Sequence, residues 1–189
     1  QERKRTAQTD EIAQIIAARN DEIFNDPATP VGGNPEGDVS LVEFFDYNCP
    51  YCRRVAPTLV EIEKDDAKLR FVYKEWPILG PNSEFAARAA LASRSQGKYV
   101  EFHKGLMLAS GLVNESKVLE VAAQVGLDVD RLRQDMEAPE ITALIERNRE
   151  LARALRITGT PSFVIGDQML RGAADAEVIR GYIREAREK

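Results

Sequence analysis

The chain has 189 residues, of which 43% are hydrophobic and 30% charged, a composition that suits one globular domain with its own core. Its formal net charge of -5, without a basic cluster interleaved with aromatic residues, argues against a nucleic-acid partner. No apolar run approaches the roughly 20 residues that a membrane-spanning helix needs.

The N-terminal part predicts a helical extension. The chain starts with charged residues, without an initiator methionine or an apolar signal core, so we expect a mature or trimmed form whose signal peptide has been removed. Thr6 to Phe24 predict a helix, since four isoleucines fall near one face. Prolines and glycines in NDPATPVGGNPEGD then predict a loop. The extension would cover residues 1–29, its apolar stripe packing either on the same chain or on a second copy.

The rest of the chain predicts an α/β fold over residues 30–189. Val39 to Phe45 form an apolar run typical of a buried strand, and Pro50 suits the first turn of the helix that follows. The segment LRFVYKEW predicts a second strand. Helical patterns at about 83–156 predict an inserted all-helical subdomain, with Ser83 as a candidate N-cap.

The C-terminal part predicts a strand hairpin with its turn at Gly166-Asp167, and a closing helix from Asp175 to Glu188. The strand–helix–strand crossover should pair parallel and the hairpin antiparallel. The predicted architecture is therefore a mixed sheet flanked by helices.

Both cysteines of the chain, Cys49 and Cys52, stand in the motif CPYC where the first strand meets its helix. A structural zinc site needs four Cys or His ligands, and the chain has two cysteines and one histidine, so we expect no metal site. Binding of Cu(I) by the two thiols stays an alternative. A staple is a poor explanation, because a disulfide that closes so short a loop adds little stability.

Thiol-disulfide chemistry fits the position of the motif better. Cys49 would cap the helix that begins at Pro50, where free N–H groups and the helix dipole favour the thiolate and make it a nucleophile. Cys52, one turn further on, would face inward and attack the mixed disulfide. A C-x-x-C at a strand-to-helix junction is typical of thioredoxin-like proteins. We expect no cofactor besides the redox-active Cys49–Cys52 disulfide.

Charged residues in the two strands suggest a proton relay. If neighbouring strands bring Glu43 and Lys74 together beneath the cysteines, the buried pair could pass a proton to or from Cys52. The alternative is that both lie at strand edges in water. His103, the single histidine, is expected to belong to the core or the surface rather than to catalysis.

Four segments, VEFFDYNCPYC, EWPILGPNSEFAARAALAS, GKYVEFHKGLM and GTPSFVIG, resemble the DsbA-like thiol-disulfide oxidoreductases. Within that family they are most similar to the branch of the suppressor-of-copper-sensitivity protein C. The resemblance implies that Cys49 is an exposed nucleophile, Cys52 its buried partner and Glu43 a buried acid. The loop that holds substrate opposite the disulfide in this family contains a cis-proline, and it corresponds to Gly159, Thr160 and Pro161.

The resemblance also implies a periplasmic location, unfolded or misoxidised secreted proteins as substrates, and a membrane-bound redox partner. The strongest oxidases of the family carry His where this chain has Tyr51, which stabilises a thiolate less and implies a less oxidising disulfide. Thr160 before the proline resembles the disulfide isomerases. These residues favour an isomerase, which pairing of two chains through the N-terminal helix would assist. A net dithiol oxidase, and a non-enzymatic peptide-binding chaperone or copper-binding module, stay alternatives.

Overall fold

A computed structural model of the chain describes residues 2–189, with side chains from residue 7 onward. Its α-helices are Glu2–Ala18 (α1), Pro50–Asp65 (α2), Pro81–Ala92 (α3), Tyr99–Leu108 (α4), Glu115–Gln124 (α5), Val129–Asp135 (α6), Pro139–Ala154 (α7) and Ala176–Glu188 (α8). Its strands are Val31–Gly33 (β1), Val39–Phe45 (β2), Leu69–Glu75 (β3), Ser162–Ile165 (β4) and Gln168–Arg171 (β5). A π-helical turn at Asp21–Asn25 follows α1, and a 3-10 turn at Ser93–Gln96 follows α3.

Within the described residues, the strands form one mixed sheet in the order β1-β3-β2-β4-β5. Strands β2 and β3 pair parallel across the α2 crossover, whereas β4 pairs antiparallel with both β2 and β5. The block α3–α7 lies between β3 and β4 in the chain. The prediction of a mixed sheet flanked by helices, with a helical insert, is confirmed.

The edge strand β1 was not predicted, because its glycines and the prolines around it indicated a loop. Val31–Gly33 nevertheless pairs antiparallel with β3. A Cβ on Gly32 would come within 2.6 Å of the Tyr73 hydroxyl, and one on Gly33 within 2.6 Å of the Leu69 carbonyl oxygen. The missing side chains are therefore what lets this edge approach β3 closely.

The apolar stripe of the N-terminal helix is buried on the same chain, which is the first of the two alternatives. Ile12 and Ile16 of α1 and Ile23 of the π-helical turn pack with Val42 and Phe44 of β2. These three isoleucines are at most 6% exposed. The segment therefore covers one face of the sheet, and α2 and α4 belong to the larger core on the other face.

Candidate active site

The CPYC motif begins α2, as the sequence predicts. Cys49 occupies the N-cap position and Pro50 is the first helical residue. The Cys52 thiol and the backbone N–H groups of Tyr51 and Cys52 donate hydrogen bonds to the Cys49 sulfur. These bonds, that of the Cys52 thiol foremost, outweigh burial and lower the pKa of Cys49 to about 5. The first cysteine therefore carries a thiolate at neutral pH.

Cys52 lies one turn further along α2 and is fully buried. Burial first, then its hydrogen bond to Cys49 and the nearby charge of Glu43, raise the pKa of Cys52 far above that of a free thiol. Cys49 and Cys52 are not joined by a disulfide in this structure. The pair thus combines one thiolate with one thiol that keeps its proton.

The nucleophile is less open than the resemblance implies. Cys49 is only 5% exposed, whereas its neighbour Tyr51 is 54% exposed. The loop before β4 covers the sulfur, which lies 3.3 Å from the carbonyl oxygen of Thr160 and donates a hydrogen bond to it when the thiol is protonated. The Thr160–Pro161 peptide bond is cis, as the resemblance implies, and the Ser162 hydroxyl donates to the Gly159 carbonyl at 2.8 Å.

Glu43 lies on the side of the sheet that carries α2, and it is 3% exposed. Burial, and secondarily the charge of the Cys49 thiolate, raises the pKa of Glu43 to about 8. Glu43 in turn raises the pKa of Cys52. A carboxylic acid that is mostly protonated at neutral pH therefore sits close enough to both sulfurs to interact with them electrostatically.

The predicted buried pair of Glu43 and Lys74 is wrong. In the parallel register of β2 and β3, Glu43 pairs with Tyr73, and Lys74 pairs with Phe44. Because successive side chains alternate between faces, Lys74 points to the opposite side of the sheet from Glu43. Its Nζ donates to the Glu22 carbonyl at 2.7 Å and to the Thr29 hydroxyl at 3.1 Å. Lys74 therefore holds the N-terminal segment and is not an active-site residue.

Sequence reasoning missed Asp46, which organises the loop before Cys49. Its carboxylate is buried and accepts hydrogen bonds from the backbone N–H groups of Ile78 at 2.8 Å and Leu79 at 3.0 Å. It also accepts from the Asn48 N–H and the Ser83 hydroxyl, both at 2.7 Å. Ser83 is therefore not the N-cap of α3, whose N-cap is Gly80. An Asp two residues before Asn is an ordinary turn signal, which gives no hint of the distant partners.

Exposed apolar side chains lie on the loops tied to the CPYC segment. Leu79 is 51% and Leu112 58% exposed. The side chain of Asn48 exchanges hydrogen bonds with the backbone of Val113, next to Leu112, and Arg53 donates to the Gly111 carbonyl. These hydrogen bonds tie the loop of Leu112 to the CPYC segment.

The sequence profile of the DsbA-like thioredoxin domain family matches residues 40–184. The chain belongs to this family. A thioredoxin-like oxidoreductase from Silicibacter pomeroyi DSS-3 is 53% identical, with a TM-score of 0.87 over 89% of this chain and 98% of that one. The thiol-disulfide exchange protein α-DsbA2 from Wolbachia pipientis is 31% identical, with a TM-score of 0.89 over 95% and 97%.

The catalytic domain of ScsC from Proteus mirabilis is 28% identical, with a TM-score of 0.85 over 94% of this chain and 99% of that one. The expected likeness to the suppressor-of-copper-sensitivity branch is therefore confirmed, and the fold is that of a DsbA-like thiol-disulfide oxidoreductase.

The chain spans about a quarter of the length of the curated relatives it matches first. One of them, a Na(+)/H(+) antiporter NhaA 1 from Salinispora arenicola, is 28% identical over 158 residues, which are 82% of this chain and 24% of the relative. The antiporter name describes that whole protein. Between residues 2 and 189, no helix combines the length and the apolar character that crossing a bilayer requires.

Proposed function

We propose that the protein exchanges disulfides with other proteins through Cys49 and Cys52. One observation carries the proposal: the sulfur of Cys49, whose pKa is lowered, lies at the start of α2, beside a buried thiol and against the loop of Thr160. A substrate thiolate attacks Cys49 of the disulfide form and makes a mixed disulfide, while Cys52 leaves and takes up a proton. A second substrate thiolate then attacks the substrate sulfur and releases Cys49 as a thiolate, so two substrate thiols are oxidised as one disulfide is reduced.

Glu43 supplies a proton source for this cycle. Because the pKa of Cys52 is strongly raised, its thiolate needs a proton as it leaves. Glu43 is buried, close and mostly protonated at neutral pH, which suits it as the donor. The same acid, once ionised, can take the proton back when Cys52 attacks a mixed disulfide.

In the cell we infer mainly disulfide isomerisation. Tyr51 offers the thiolate neither a charge nor an imidazole, and its ring lies under the Arg54 guanidinium at 5.2 Å. Thr160 precedes the cis-proline. Tyr51 supports a thiolate that is less stabilised than a histidine at its position would make it, and Thr160 before the cis-proline resembles the disulfide isomerases.

Net oxidation is the second candidate, and one observation favours it. Ile12 and Ile16 of α1 are buried against the chain's own sheet, so this stripe is not free to join two chains. An isomerase gains from two active sites around one substrate, whereas an oxidase works as a single unit. Dimerisation through other parts of α1 stays a proposal, which light scattering tests directly.

Two refolding assays on the full chain separate the candidates. An isomerase rescues scrambled ribonuclease in a glutathione buffer, and an oxidase accelerates disulfide formation in reduced ribonuclease without rescuing the scrambled form. Removing residues 1–29 is not a clean test of the extension, because it would uncover the core that Ile16 and Ile23 fill. Inactivity in both assays would contradict the proposed function.

The non-enzymatic alternatives need a different variant. In a protein with both cysteines replaced by Ser, a peptide-binding chaperone keeps its effect on aggregation and a redox enzyme loses all exchange. A copper carrier also fails, so Cu(I) titration of the reduced wild type is run alongside.

We propose the periplasm as the location, secreted proteins as substrates and a membrane-bound protein as redox partner. The family and the need for an oxidising compartment support this. The variant Cys52→Ser cannot resolve a mixed disulfide, so Cys49 should stay linked to these proteins in cells. Mass spectrometry identifies them, and trapping of cytosolic proteins alone would contradict the location.

A further inference from the structure

A second buried acid lies on the same face of the sheet as Glu43. Glu75, at the end of β3, is 1% exposed. Its Oε1 accepts hydrogen bonds from the hydroxyls of Tyr47 at 2.6 Å and Tyr99 at 2.7 Å. The Tyr47 hydroxyl also lies 2.9 Å from Nδ1 of His103. Glu75, Tyr47 and His103 thus form one continuous hydrogen-bonded chain, which we term the Glu75 chain.

The surroundings of Glu75 hold acids and neutral rings but no cation among the described residues. The titratable groups that face it are Asp46 and Tyr47 after β2, Glu43 on β2, Tyr73 on β3, and Tyr99 and His103 on α4, with Lys104 beyond His103. Burial raises the pKa of Glu75 to about 8, although its two phenol partners oppose the rise. The same burial lowers the pKa of His103 to about 3, so the ring is neutral.

A tyrosine hydroxyl has one proton, which leaves the Glu75 chain two complete arrangements. In the first, Glu75 is protonated and donates to the Tyr47 oxygen, and Tyr47 donates to Nδ1 of His103. In the second, Glu75 is ionised, Tyr47 donates to it, and His103 donates from Nδ1. Passing from the first to the second moves protons along the chain and releases one from Nε2 of His103, with no charge left on either ring.

The far end of the chain opens on the cavity beside Glu43. This cavity of about 30 Å³ lies between α2 and α4, with Glu43, His103 and Tyr73 in its lining. Its volume suffices for one or two water molecules. Because Nδ1 of His103 faces Tyr47, Nε2 is the ring nitrogen left for the cavity. The Lys104–Glu63 ion pair, at 2.6 Å, lies in the same lining.

We propose that Glu75 is a positioning residue of the thiol-disulfide site, a reserve acid that exchanges its proton with Glu43 through Tyr47, His103 and cavity water. This deepens the proposed function and rests on it. After Glu43 has protonated Cys52, the Glu75 chain returns a proton to Glu43. The transfer balances: one proton leaves Glu75, one reaches Glu43, and no electrons move.

Two variants separate this role from a structural one. Tyr47→Phe and Tyr99→Phe each remove one hydroxyl from the same oxygen of Glu75, at nearly equal distance. Only the Tyr47 hydroxyl also hydrogen-bonds to His103, whereas Tyr99 contacts that imidazole through its ring, which Phe retains. Only Tyr47→Phe therefore breaks the chain. The variant Glu75→Gln removes the acid itself while keeping its shape.

Nitrogen NMR of the imidazole reads the chain without any substrate, and His103 is the single histidine of the sequence. We expect the wild-type ring to change from the Nε2–H to the Nδ1–H tautomer as the pH rises from about 6 to 9. Tyr99→Phe should retain this change, and Tyr47→Phe and Glu75→Gln should lose it. A tautomer that is constant in the wild type, or a change lost equally in both tyrosine variants, overturns the proposal.

Steady-state disulfide exchange gives the second readout. Near pH 7, Tyr47→Phe and Glu75→Gln should turn over about three- to tenfold more slowly than Tyr99→Phe, a small part of the about 10²- to 10⁴-fold effect of positioned proton transfer. Equal rates in all variants overturn the reserve-acid role. If the wild type itself shows no disulfide exchange, the proposed function fails instead. The NMR experiment still tests the Glu75 chain in that case, because it needs no substrate.

Discussion

The Cys49 sulfur lies 3.3 Å from the carbonyl oxygen of Thr160, to which its Sγ–H donates a hydrogen bond when the thiol is protonated. This bond favours the thiol form, because a thiolate has no proton to donate. The hydroxyl of the same threonine acts in the opposite sense, since its hydrogen bond lowers the pKa of Cys49. The backbone carbonyl of Thr160 therefore stabilises the thiol form of Cys49, whereas its hydroxyl stabilises the thiolate form.

Replacing Thr160 by Val removes the hydroxyl and retains the shape of the side chain. We expect the pKa of Cys49 to rise by about one unit, the size of one hydrogen bond to a charged group, about 1.4 kcal/mol. Thiolate absorbance at about 240 nm, followed against pH in the reduced protein, measures it. Thr160→Ser keeps a hydroxyl and is the matched control. Equal titrations of Thr160→Val and Thr160→Ser would show that the hydroxyl does not act on the sulfur.

The residue at position 51 is a second, independent influence on the pKa of Cys49. In Tyr51→His, an imidazole replaces the phenol beside the start of α2 and can offer a charge or a stronger hydrogen bond. We expect a pKa of Cys49 lower by about one unit, and a disulfide more oxidising by about 30 mV. Equilibration with glutathione measures the potential.

Tyr51→Phe is the control for the ring, which stays under Arg54. If the potential of Tyr51→His equals that of the wild type, the residue between the cysteines does not make this protein a weaker oxidant, and the isomerase proposal loses one of its two supports.

The sequence sufficed for features that depend on local signals. The apolar run Val39–Phe45 and the hairpin at Gly166-Asp167 follow from periodicity and turn chemistry, and Cys49 at the start of α2 follows from the motif and Pro50. The helix of the extension was also predicted. Its packing partner was left open, because an amphipathic stripe indicates that one face is buried but does not identify the surface that buries it.

Features that depend on register or on distant contacts could not be predicted. One residue of parallel offset decides whether Lys74 faces Glu43 or the opposite side, and no sequence signal sets that offset. Glu75 follows Lys74 in a strand and gives no sign of its two phenol partners. Only the fold brings Tyr47 and Tyr99 to it, from a loop and from α4.

The raised pKa of Glu43 makes stability depend on pH. In the folded state this pKa is about 8, against 4.5 for an exposed glutamate, so between these values the folded protein holds a proton that the unfolded chain releases. Stability from this group is therefore complete below about pH 4.5 and is lost as the pH rises through about 8.

Glu43→Gln, which cannot ionise, should gain stability relative to the wild type as the pH rises. The gain between about pH 5 and pH 9 should reach about 4 kcal/mol at most, since each tenfold change in an acid's dissociation constant on folding corresponds to about 1.4 kcal/mol. Urea unfolding of both proteins at several pH values measures it. A constant difference across this range would mean that Glu43 is not held protonated by burial.

Lys74 and Glu43 should have separable effects, because they lie on opposite faces of the sheet. Lys74→Met removes the donor to the Glu22 carbonyl and the Thr29 hydroxyl, at a cost of about 1–3 kcal/mol for a buried group left without a partner. We expect faster hydrogen exchange in residues 21–29 and an unchanged pKa of Cys49. Glu43→Gln should do the reverse, altering the thiol titration and leaving exchange in residues 21–29 unchanged. A change of the Cys49 pKa in Lys74→Met as large as that in Glu43→Gln would restore the buried pair that the register rules out.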